Sequence, residues 1–207
     1  ILVTHHHADH TGGIKALLEH FGDLPVYGPA NSPYAGITHK LKENDSVRLF
    51  DTHFSIMEIP GHTLDHIAYY NDQQGLLFCG DTLFLAGCGR VFEGSPLQMH
   101  QSLNKIMALP AMTMAYPTHE YSVANLKFAM AVDGNNEALK LAQTMCHEIR
   151  AENEVTLPTR LAQEAAINPF LRTHDKAVIA SAENFQQQTL KTPVEVFTVL
   201  RQWKNNF

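Results

Sequence analysis

The sequence has 207 residues, of which 44% are hydrophobic, and it carries a formal net charge of -6 at pH 7. This length and composition are typical of a globular protein with a core of its own. The acidic balance argues against a general nucleic-acid or anionic-membrane binder, and no apolar run approaches the roughly 18 residues of a membrane span. Three cysteines without a CxxC spacing, Cys79, Cys88 and Cys146, favour reduced thiols in a cytoplasmic protein over a disulfide framework.

The first predicted elements enclose a loop rich in histidine. A short strand at 1–3 leads into the loop, and apolar residues at helical spacing predict a helix at 14–21 after it. The loop itself carries four side chains that can bind a metal, His5, His7, Asp9 and His10. Imidazole and carboxylate suit zinc, iron or manganese, and four such groups exceed what one catalytic ion normally takes from one loop. The alternatives are an ordinary polar loop or the remnant of a purification tag, but a tag would not lead through Asp-His-Thr-Gly-Gly into an amphipathic helix.

Strands and loops alternate over the next hundred residues. Alternating or β-branched apolar residues predict strands, and Pro at its first position predicts the start of a helix at 96–109. The charged segment 40–45 is predicted to be solvated, and the glycine-rich segment 87–94 is predicted to be a loop. The predicted strands are 25–28, 47–50, 54–59, 67–70, 76–79 and 112–116.

The composition changes near residue 121. From 122 onward, Ala, Gln, Glu and Leu at helical spacing replace the strand patterns. The last helix is predicted to start at Thr192-Pro193, with an apolar face that contains Val196, Val199, Leu200 and Trp203. We therefore predict two domains, a strand-rich α/β domain at 1–121 and a small helical domain at 122–207.

Further metal-binding side chains follow other predicted strands. His62, Asp81 and His119 each stand directly after a strand, where loops converge on one edge of a sheet. A single histidine such as His62 or His119 is more often structural than a ligand. Together with the four residues of the first loop they make seven candidate ligands, which are too many for one zinc ion. The pattern predicts two ions that share a carboxylate.

This set of motifs resembles the metallo-β-lactamase superfamily, and within it the glyoxalase II family, the hydroxyacylglutathione hydrolases. The resemblance covers the whole chain, and its motifs are 4–13, 60–63, 80–94, 119–121 and the pair Arg201 and Lys204. It implies an αββα sandwich followed by a small helical domain that binds glutathione. Because family members begin with further strands, it also implies that the first strands of the sandwich are missing from this chain.

The resemblance further implies a role for each candidate ligand. His5, His7 and His62 would bind one ion, Asp9, His10 and His119 the other, and Asp81 would bridge them. Asp81 and Asp9 would be the catalytic carboxylates, with a hydroxide that bridges the two ions as the nucleophile. The implied cofactors are two divalent ions, zinc first, with iron or manganese as alternatives. No cysteine stands where Asp81 does, which speaks against a zinc β-lactamase; Cys79 and Cys88 are interpreted as packing thiols.

Substrate contacts are implied at five positions. Arg201 and Lys204 share one face of the last helix; spacing alone favours a solvated helix end, whereas the resemblance implies that they hold the glycine carboxylate of glutathione. Arg90, Phe92 and Tyr121 would line the same site, although Phe92 stands where some relatives have tyrosine. Asp65 replaces a glycine of the family pattern. His66 is equally compatible with support of a ligand and with a structural role.

The implied reaction is hydrolysis of S-D-lactoylglutathione and related thioesters to glutathione and a 2-hydroxy acid such as D-lactate, the second step of methylglyoxal detoxification. A thiol can leave as thiolate, so no additional acid is required; ester, lactone and phosphodiester hydrolysis stay open from the residues alone. One alternative is a persulfide dioxygenase with a single iron, and another is an inactive metal-binding fragment. The expected partner is a small-molecule thioester, and the chain is expected to be a cytoplasmic monomer that binds neither nucleic acid nor membranes.

Overall fold

Ten strands and eight helices make up the fold. The computed structural model describes all residues 1–207. The strands are β1 Tyr27–Pro29, β2 His39–Leu41, β3 Ser46–Leu49, β4 Thr52–Glu58, β5 Ile67–Asn71, β6 Leu76–Gly80, β7 Leu83–Phe84, β8 Gly87–Cys88, β9 Met114–Pro117 and β10 Thr159–Arg160. The helices are α1 Ala8–Thr11, α2 Ile14–Phe21, α3 Pro96–Met107, α4 Ser122–Asp133, α5 Glu137–Ala151, α6 Leu161–Ile167, α7 Lys176–Gln186 and α8 Pro193–Asn205. None of the helices combines the length and the hydropathy that a membrane crossing requires.

The main sheet has six strands in the order β10-β9-β6-β5-β4-β3. β6 and β9 are parallel, and every other neighbouring pair is antiparallel. β4, β6 and β9 therefore run in the same direction, and their carboxyl ends lie along one edge of the sheet. We call this edge the ligand rim, because the segments that follow these three strands carry His62, Asp81 and His119.

Alternation along the strands separates two cores. Successive strand residues point to opposite faces of the sheet. Ala68, Tyr70 and Leu77 pack with α3, α4, α7 and α8 in a cluster of 22 buried residues. On the other face, Ile67 and Tyr69 pack with Leu41 and Val47 in a smaller cluster. Both faces of β5 are thus covered, which explains why all five of its residues are buried.

Two helix starts match their sequence signals closely. Ser95 accepts a hydrogen bond from the backbone of Gln98, whose side chain returns one to Ser95, and Pro96 begins α3. Thr192 and Glu195 form the same capping box at the start of α8. Such reciprocal caps satisfy backbone N–H groups that a helix end leaves free. Both helices accordingly begin where the sequence predicts.

Four local predictions differ from the structure. The predicted strand at 1–3 contributes one isolated bridge, between Leu2 and Tyr27. The segment predicted to be solvated contains β2, which pairs with β1 because Leu41, only 7% exposed, anchors it in the core. The predicted loop 87–94 includes β8, which forms a tight hairpin with β7. β10 was not predicted; it pairs with β9, so a strand from the helical part of the chain forms one edge of the main sheet.

Candidate metal centre

The histidine-rich loop meets the ligand rim through backbone hydrogen bonds. Ile67 donates its N–H to the carbonyl oxygen of Thr4 at 2.9 Å, and Val3 donates to Tyr27 at 2.8 Å. Residues 8–11 then form the single turn α1, which carries Asp9 and His10. The loop is thereby held against the start of β5, beside the ends of β4 and β6. Seven side chains from four separate segments of the sequence converge here.

Three histidine nitrogens form the first group. His5 Nε2 lies 3.2 Å from His7 Nδ1, and His62 Nε2 lies 3.0 Å from the same atom. Nitrogens placed tetrahedrally around a zinc ion at 2.0–2.1 Å are about 3.3 Å apart. The observed spacing is close to this value, so the three nitrogens fit one divalent ion.

A second group contains Asp9, His10 and His119. Asp9 Oδ2 lies 3.4 Å from His119 Nε2 and 3.5 Å from His10 Nε2. His10 Nε2 is buried and makes no hydrogen bond of good geometry. A buried imidazole nitrogen without a partner is costly, and a metal ion would satisfy it. This group also fits a divalent ion.

Asp81 stands between the two groups. Its Oδ2 atom lies 3.4 Å from His62 Nε2 and 3.4 Å from His119 Nε2, while its Oδ1 atom lies 3.3 Å from His10 Nε2. One carboxylate thus faces nitrogens of both groups at nearly equal distances. This is the placement expected of a carboxylate shared by two ions.

Neighbouring polar groups fix the orientation of these ligands. The carbonyl oxygen of Arg90 can only accept, so the 2.7 Å contact with His62 places the proton on His62 Nδ1 and leaves Nε2 free to bind. Thr118 donates its hydroxyl to Asp81 Oδ1. The N–H of Asp81 donates to His66 Nε2 at 3.0 Å, and the His66 ring stacks on His5. His66 therefore supports two of the predicted ligands.

Burial and neighbouring polar groups determine the protonation states of the clustered side chains. Burial lowers the pKa of His5 and of His62 below the usual value, which keeps both rings neutral. Burial and the neighbouring His62 lower the pKa of His66 to about 3. Burial alone would raise the pKa of Asp81, but the neighbouring His10 and the hydrogen bond from Thr118 outweigh it and lower that pKa. The neutral imidazoles of His5 and His62 and the ionised carboxylate of Asp81 are forms that bind metal ions. At His10 burial acts to lower the pKa, but the neighbouring Asp81 and Asp9 carboxylates outweigh it and raise that pKa.

A cavity of about 540 Å³ opens over the two groups. We call it the metal pocket. Three of the five residues predicted to contact substrate line it, and Phe84 lines it as well. The lining residues are His7, Asp9, His62, Asp81, Phe84, Arg90, Phe92, His119 and Tyr121.

Aromatic rings form the walls of the metal pocket. Tyr121 stacks on His119 with ring centres 4.9 Å apart, and Phe92 packs edge-on against His62 at 5.3 Å. Phe84 contacts Tyr121 at 5.3 Å. No sequence signal distinguished Phe84 or Thr118, because neither belongs to the recurring pattern of histidine and aspartate.

The other two predicted substrate residues lie outside the pocket lining. Arg201 is only 8% exposed and donates from Nη1 to the carbonyl oxygen of Cys88 at 2.8 Å. Lys204 donates to the carbonyl oxygen of Ala124 at 3.0 Å, and burial together with Arg201 lowers its pKa. Asn205 joins the cations, because its Oδ1 atom accepts from Arg90 at 3.3 Å and from Arg201 at 3.1 Å. The substrate-binding roles stay predictions.

Two further groups near the site were only partly anticipated. Asp65 is buried and lies 2.9 Å from His6 Nδ1, while His6 Nε2 lies 3.2 Å from Glu93. These contacts connect three loops around the site.

Cys79 and Cys88 are free and buried, and burial raises the pKa of both thiols, to about 12 for Cys79. Neither thiol is a reactive nucleophile.

Comparison with known proteins places both parts of the chain in described families. The metallo-beta-lactamase superfamily matches residues 1–119, and the family described as hydroxyacylglutathione hydrolase C-terminus matches residues 120–207. A hydroxyacylglutathione hydrolase of Vibrio cholerae serotype O1 is 49% identical over 207 residues, which are 100% of this chain and 81% of that protein. These matches confirm the predicted fold class, a metallo-β-lactamase domain followed by a helical part.

Solved structures agree with this fold. ETHE1 from Myxococcus xanthus superposes with a TM-score of 0.65 at 24% identity, covering 98% of this chain and 68% of that one. TTHA1623, solved in a di-iron-bound form, superposes with a TM-score of 0.57 at 27% identity, covering 83% and 76% of the two chains. The first likeness bears on the fold alone. The second concerns a protein that holds two irons in this fold.

Proposed function

This chain belongs to the hydroxyacylglutathione hydrolase family of the metallo-β-lactamase superfamily, and on that premise we propose that it hydrolyses S-D-lactoylglutathione and related 2-hydroxyacyl thioesters to glutathione and a 2-hydroxy acid. One observation carries this proposal beyond the family name. The carboxylate of Asp81 faces nitrogens of both ligand groups, inside a pocket that also holds Arg90. That arrangement combines a two-metal centre with a cation for an anionic substrate.

We propose that His5, His7 and His62 hold one divalent ion, that Asp9, His10 and His119 hold the other, and that Asp81 contacts both. Zinc is the proposed metal, with iron and manganese as alternatives, because imidazole and carboxylate ligands accept all three. The di-iron form of TTHA1623 supports two-metal occupancy of this fold. When bound, two such ions supply Lewis acidity and a hydroxide near neutral pH.

The residues of the chain prepare the site for this chemistry. The Arg90 carbonyl fixes the tautomer of His62, and Thr118 holds one oxygen of Asp81 so that the other faces both groups. Tyr121, Phe92 and Phe84 contribute aromatic rings to the walls of the pocket.

A thiolate leaving group does not require a further acid. A thiol has a pKa of about 8.5 and departs as thiolate without being protonated first. An amide nitrogen would require a proton donor near the cleaved bond. The cysteines near the site are buried packing groups. This inventory favours thioesters over amides.

We propose that three positively charged side chains, Arg90, Arg201 and Lys204, recognise the substrate. Arg90 lines the pocket and is connected through Asn205 to Arg201, one turn from Lys204 on α8. The carboxylates of glutathione need such local cations, because the chain as a whole carries a charge of -6. We propose that these three residues attract the glutathione carboxylates and that Phe92 and Tyr121 contact the remainder of the tripeptide.

We also propose a cytoplasmic location and a monomeric state. The three free, buried cysteines support a reducing compartment. The monomer stays a prediction from the sequence, and size-exclusion chromatography with light scattering would test it.

The test is hydrolysis of S-D-lactoylglutathione by the purified chain as isolated, after chelation, and after zinc is restored. We expect turnover that is lost on chelation and regained with zinc. Oxygen consumption with glutathione persulfide, measured in parallel on iron-loaded protein, separates the dioxygenase alternative. Oxygen uptake without thioester cleavage would contradict the proposal, and inactivity of a folded, metal-loaded chain towards both substrates would indicate a binding fragment.

A further inference from the structure

A tight hairpin between β7 and β8 borders the metal pocket. Its turn consists of Leu85 and Ala86, and Ala86 adopts a φ of 52°, in the left-handed region that residues other than glycine rarely occupy. A turn of this kind needs external support. Asn125 in α4 supplies part of it by donating from Nδ2 to the carbonyl oxygen of Leu85 at 3.1 Å.

Two further side chains of the helical part bind the same turn. Glu164 in α6 accepts the N–H of Ala86 at 2.9 Å. Asn168, directly after α6, donates to the carbonyl oxygen of Gly87 at 2.9 Å and to the Oε2 atom of Glu164 at 2.9 Å. The backbone of the turn is therefore held by side chains that lie 40 to 81 residues away in the sequence.

Glu164 is the centre of this arrangement. Its side chain is 0% exposed, and it accepts three hydrogen bonds, from Ala86, Asn168 and the hydroxyl of Thr159 at 2.7 Å. Burial of a carboxyl group is expensive, and hydrogen-bond donors offset only part of the cost. A group kept at such a place is a candidate for a positioning role.

The hairpin in turn determines the geometry of the metal pocket. On one side of the turn, Phe84 lines the pocket. On the other side, Gly89 donates its N–H to Thr82 at 3.2 Å and lies so close to the backbone of Asp81 that an added Cβ would be 1.9 Å from the Asp81 carbonyl oxygen. The next residue, Arg90, provides the carbonyl that orients His62. A displaced turn would therefore move the residues beside Asp81 and His62.

We propose that Glu164 is a positioning residue of the metal centre, which acts through the 83–88 hairpin to hold the Arg90 carbonyl against His62. It touches neither metal ligands nor substrate, and its task is performed by hydrogen-bond acceptance. The proposal rests on the proposed metal site, because its effect is exerted on a ligand of that site.

The variants Glu164→Gln and Glu164→Leu test whether the side chain acts by accepting hydrogen bonds or only by filling the buried space. Gln keeps the size and an acceptor oxygen for Ala86 and Asn168, and the Thr159 hydroxyl can rotate to accept from its amide. Leu keeps the apolar volume and removes every acceptor. Gln163→Leu, one residue away on the exposed side of α6, is the matched control.

The readout is the rate at which zinc-loaded protein releases its metal to a chromogenic chelator, together with the near-ultraviolet circular dichroism of each variant. Loss of a group that orients a metal ligand typically weakens metal affinity by about 10- to 100-fold. We expect Glu164→Leu to release zinc about 10-fold faster than the wild-type chain, and Glu164→Gln and Gln163→Leu to stay within about twofold of it.

A folded Glu164→Leu chain that releases zinc at the wild-type rate would overturn the proposal, and so would equal acceleration by Gln and Leu. If Glu164→Leu does not fold, Asn125→Ala, which removes only the donor to Leu85, takes its place and is expected to accelerate release in the same direction; an unchanged rate would again overturn the proposal. A wild-type chain that binds no zinc would overturn both the metal site and this proposal. A wild-type chain that binds zinc, with an unchanged release rate in Glu164→Leu, would overturn the positioning role alone.

Discussion

The ligand rim and the helical part contribute to the same site in different ways. On the rim, the side chains that matter are histidines and aspartates in four short segments, three of which follow β4, β6 and β9, and they face one another directly. In the helical part, the side chains that matter face the backbone of a hairpin or the carbonyl oxygens of loops. The candidate metal ligands on the rim are thus of two recurring residue types, histidine and aspartate. The helical part instead holds backbone groups of the hairpin and loops in place, through side chains of several types.

The largest effect is expected for the carboxylate that the rim places between its two groups. Asp81→Ala removes the oxygen that faces both His62 and His119. We expect kcat to fall by more than about 100-fold and metal content to fall below that of the wild type, since we propose that the residue is a shared ligand and not an outer support.

The matched control for Asp81→Ala is Asp72→Ala, in the exposed turn between β5 and β6. It should retain wild-type activity. Steady-state kinetics and elemental analysis of both proteins provide the measurement, and wild-type turnover by Asp81→Ala would disprove a shared carboxylate.

The same contrast explains what the sequence could and could not predict. The seven candidate ligands could be proposed from the sequence, because four of them lie within residues 5–10 and the others follow apolar strands; the structure brings all seven side chains together, and their roles as ligands stay predictions. Leu41 was not recognised as a core residue, because one apolar residue among charged neighbours shows no alternation. The role of Glu164 could not be predicted, because the sequence does not distinguish a buried glutamate on a helix from a solvent-exposed one. Whether a side chain faces water, a ligand or a distant backbone depends on tertiary contacts that the local sequence does not encode.

Arg201 sharpens the comparison, because it combines a predicted role in binding with an observed role in support. The binding role that the family resemblance implies predicts that Arg201→Ala mainly raises KM. In the structure, Arg201 is buried and donates to Cys88, and its guanidinium lies over the ring of Phe170. Removal leaves a buried carbonyl without its donor and creates a cavity, so we expect a loss of about 2–4 kcal/mol in unfolding free energy as well as a higher KM.

Urea denaturation followed by kinetics at low temperature separates the two effects of Arg201→Ala. Arg160→Ala, an exposed arginine on β10, is the control and should change the unfolding free energy by less than about 0.5 kcal/mol. An unchanged stability of Arg201→Ala would show that its buried contacts are unimportant.

The buried carboxyl of the helical part predicts a pH-dependent difference in stability. Burial raises the pKa of Glu164 to about 7 from an ordinary value of 4.5. Between these values the folded chain retains a proton that the unfolded chain has lost, so Glu164 makes the wild-type chain less stable as the pH rises through this range. Glu164→Gln has no such proton, and its unfolding free energy relative to wild type should increase by about 2 kcal/mol between pH 5 and pH 8.

Denaturation of both chains at pH 5 and pH 8 tests this expectation, with the exposed Glu152→Gln as the control for loss of a surface carboxylate. A difference that is independent of pH would show that Glu164 has the same protonation in the folded and unfolded chains. A difference of the opposite sign would show that its three hydrogen bonds outweigh the cost of burial.

The smallest effect is expected at Lys204, in the helical part. This ammonium group lies over the rings of Phe128 and Phe207 and is proposed to attract a substrate carboxylate. A partly exposed ion pair contributes up to about 1 kcal/mol, so Lys204→Gln should raise KM about three- to fivefold and leave kcat unchanged. Lys127→Gln is the control, because Lys127 lies over the same Phe207 ring. A lower kcat with an unchanged KM would assign Lys204 a different role.

The number and position of bound metals test the central claim most directly. A crystal structure of the zinc-loaded chain, with anomalous scattering measured at the zinc edge, locates each ion independently of activity. We predict two peaks, one among His5, His7 and His62 and the other among Asp9, His10 and His119, with Asp81 in contact with both. A single peak in the loaded chain, or two peaks of which Asp81 contacts only one, would contradict a two-metal centre built on this carboxylate.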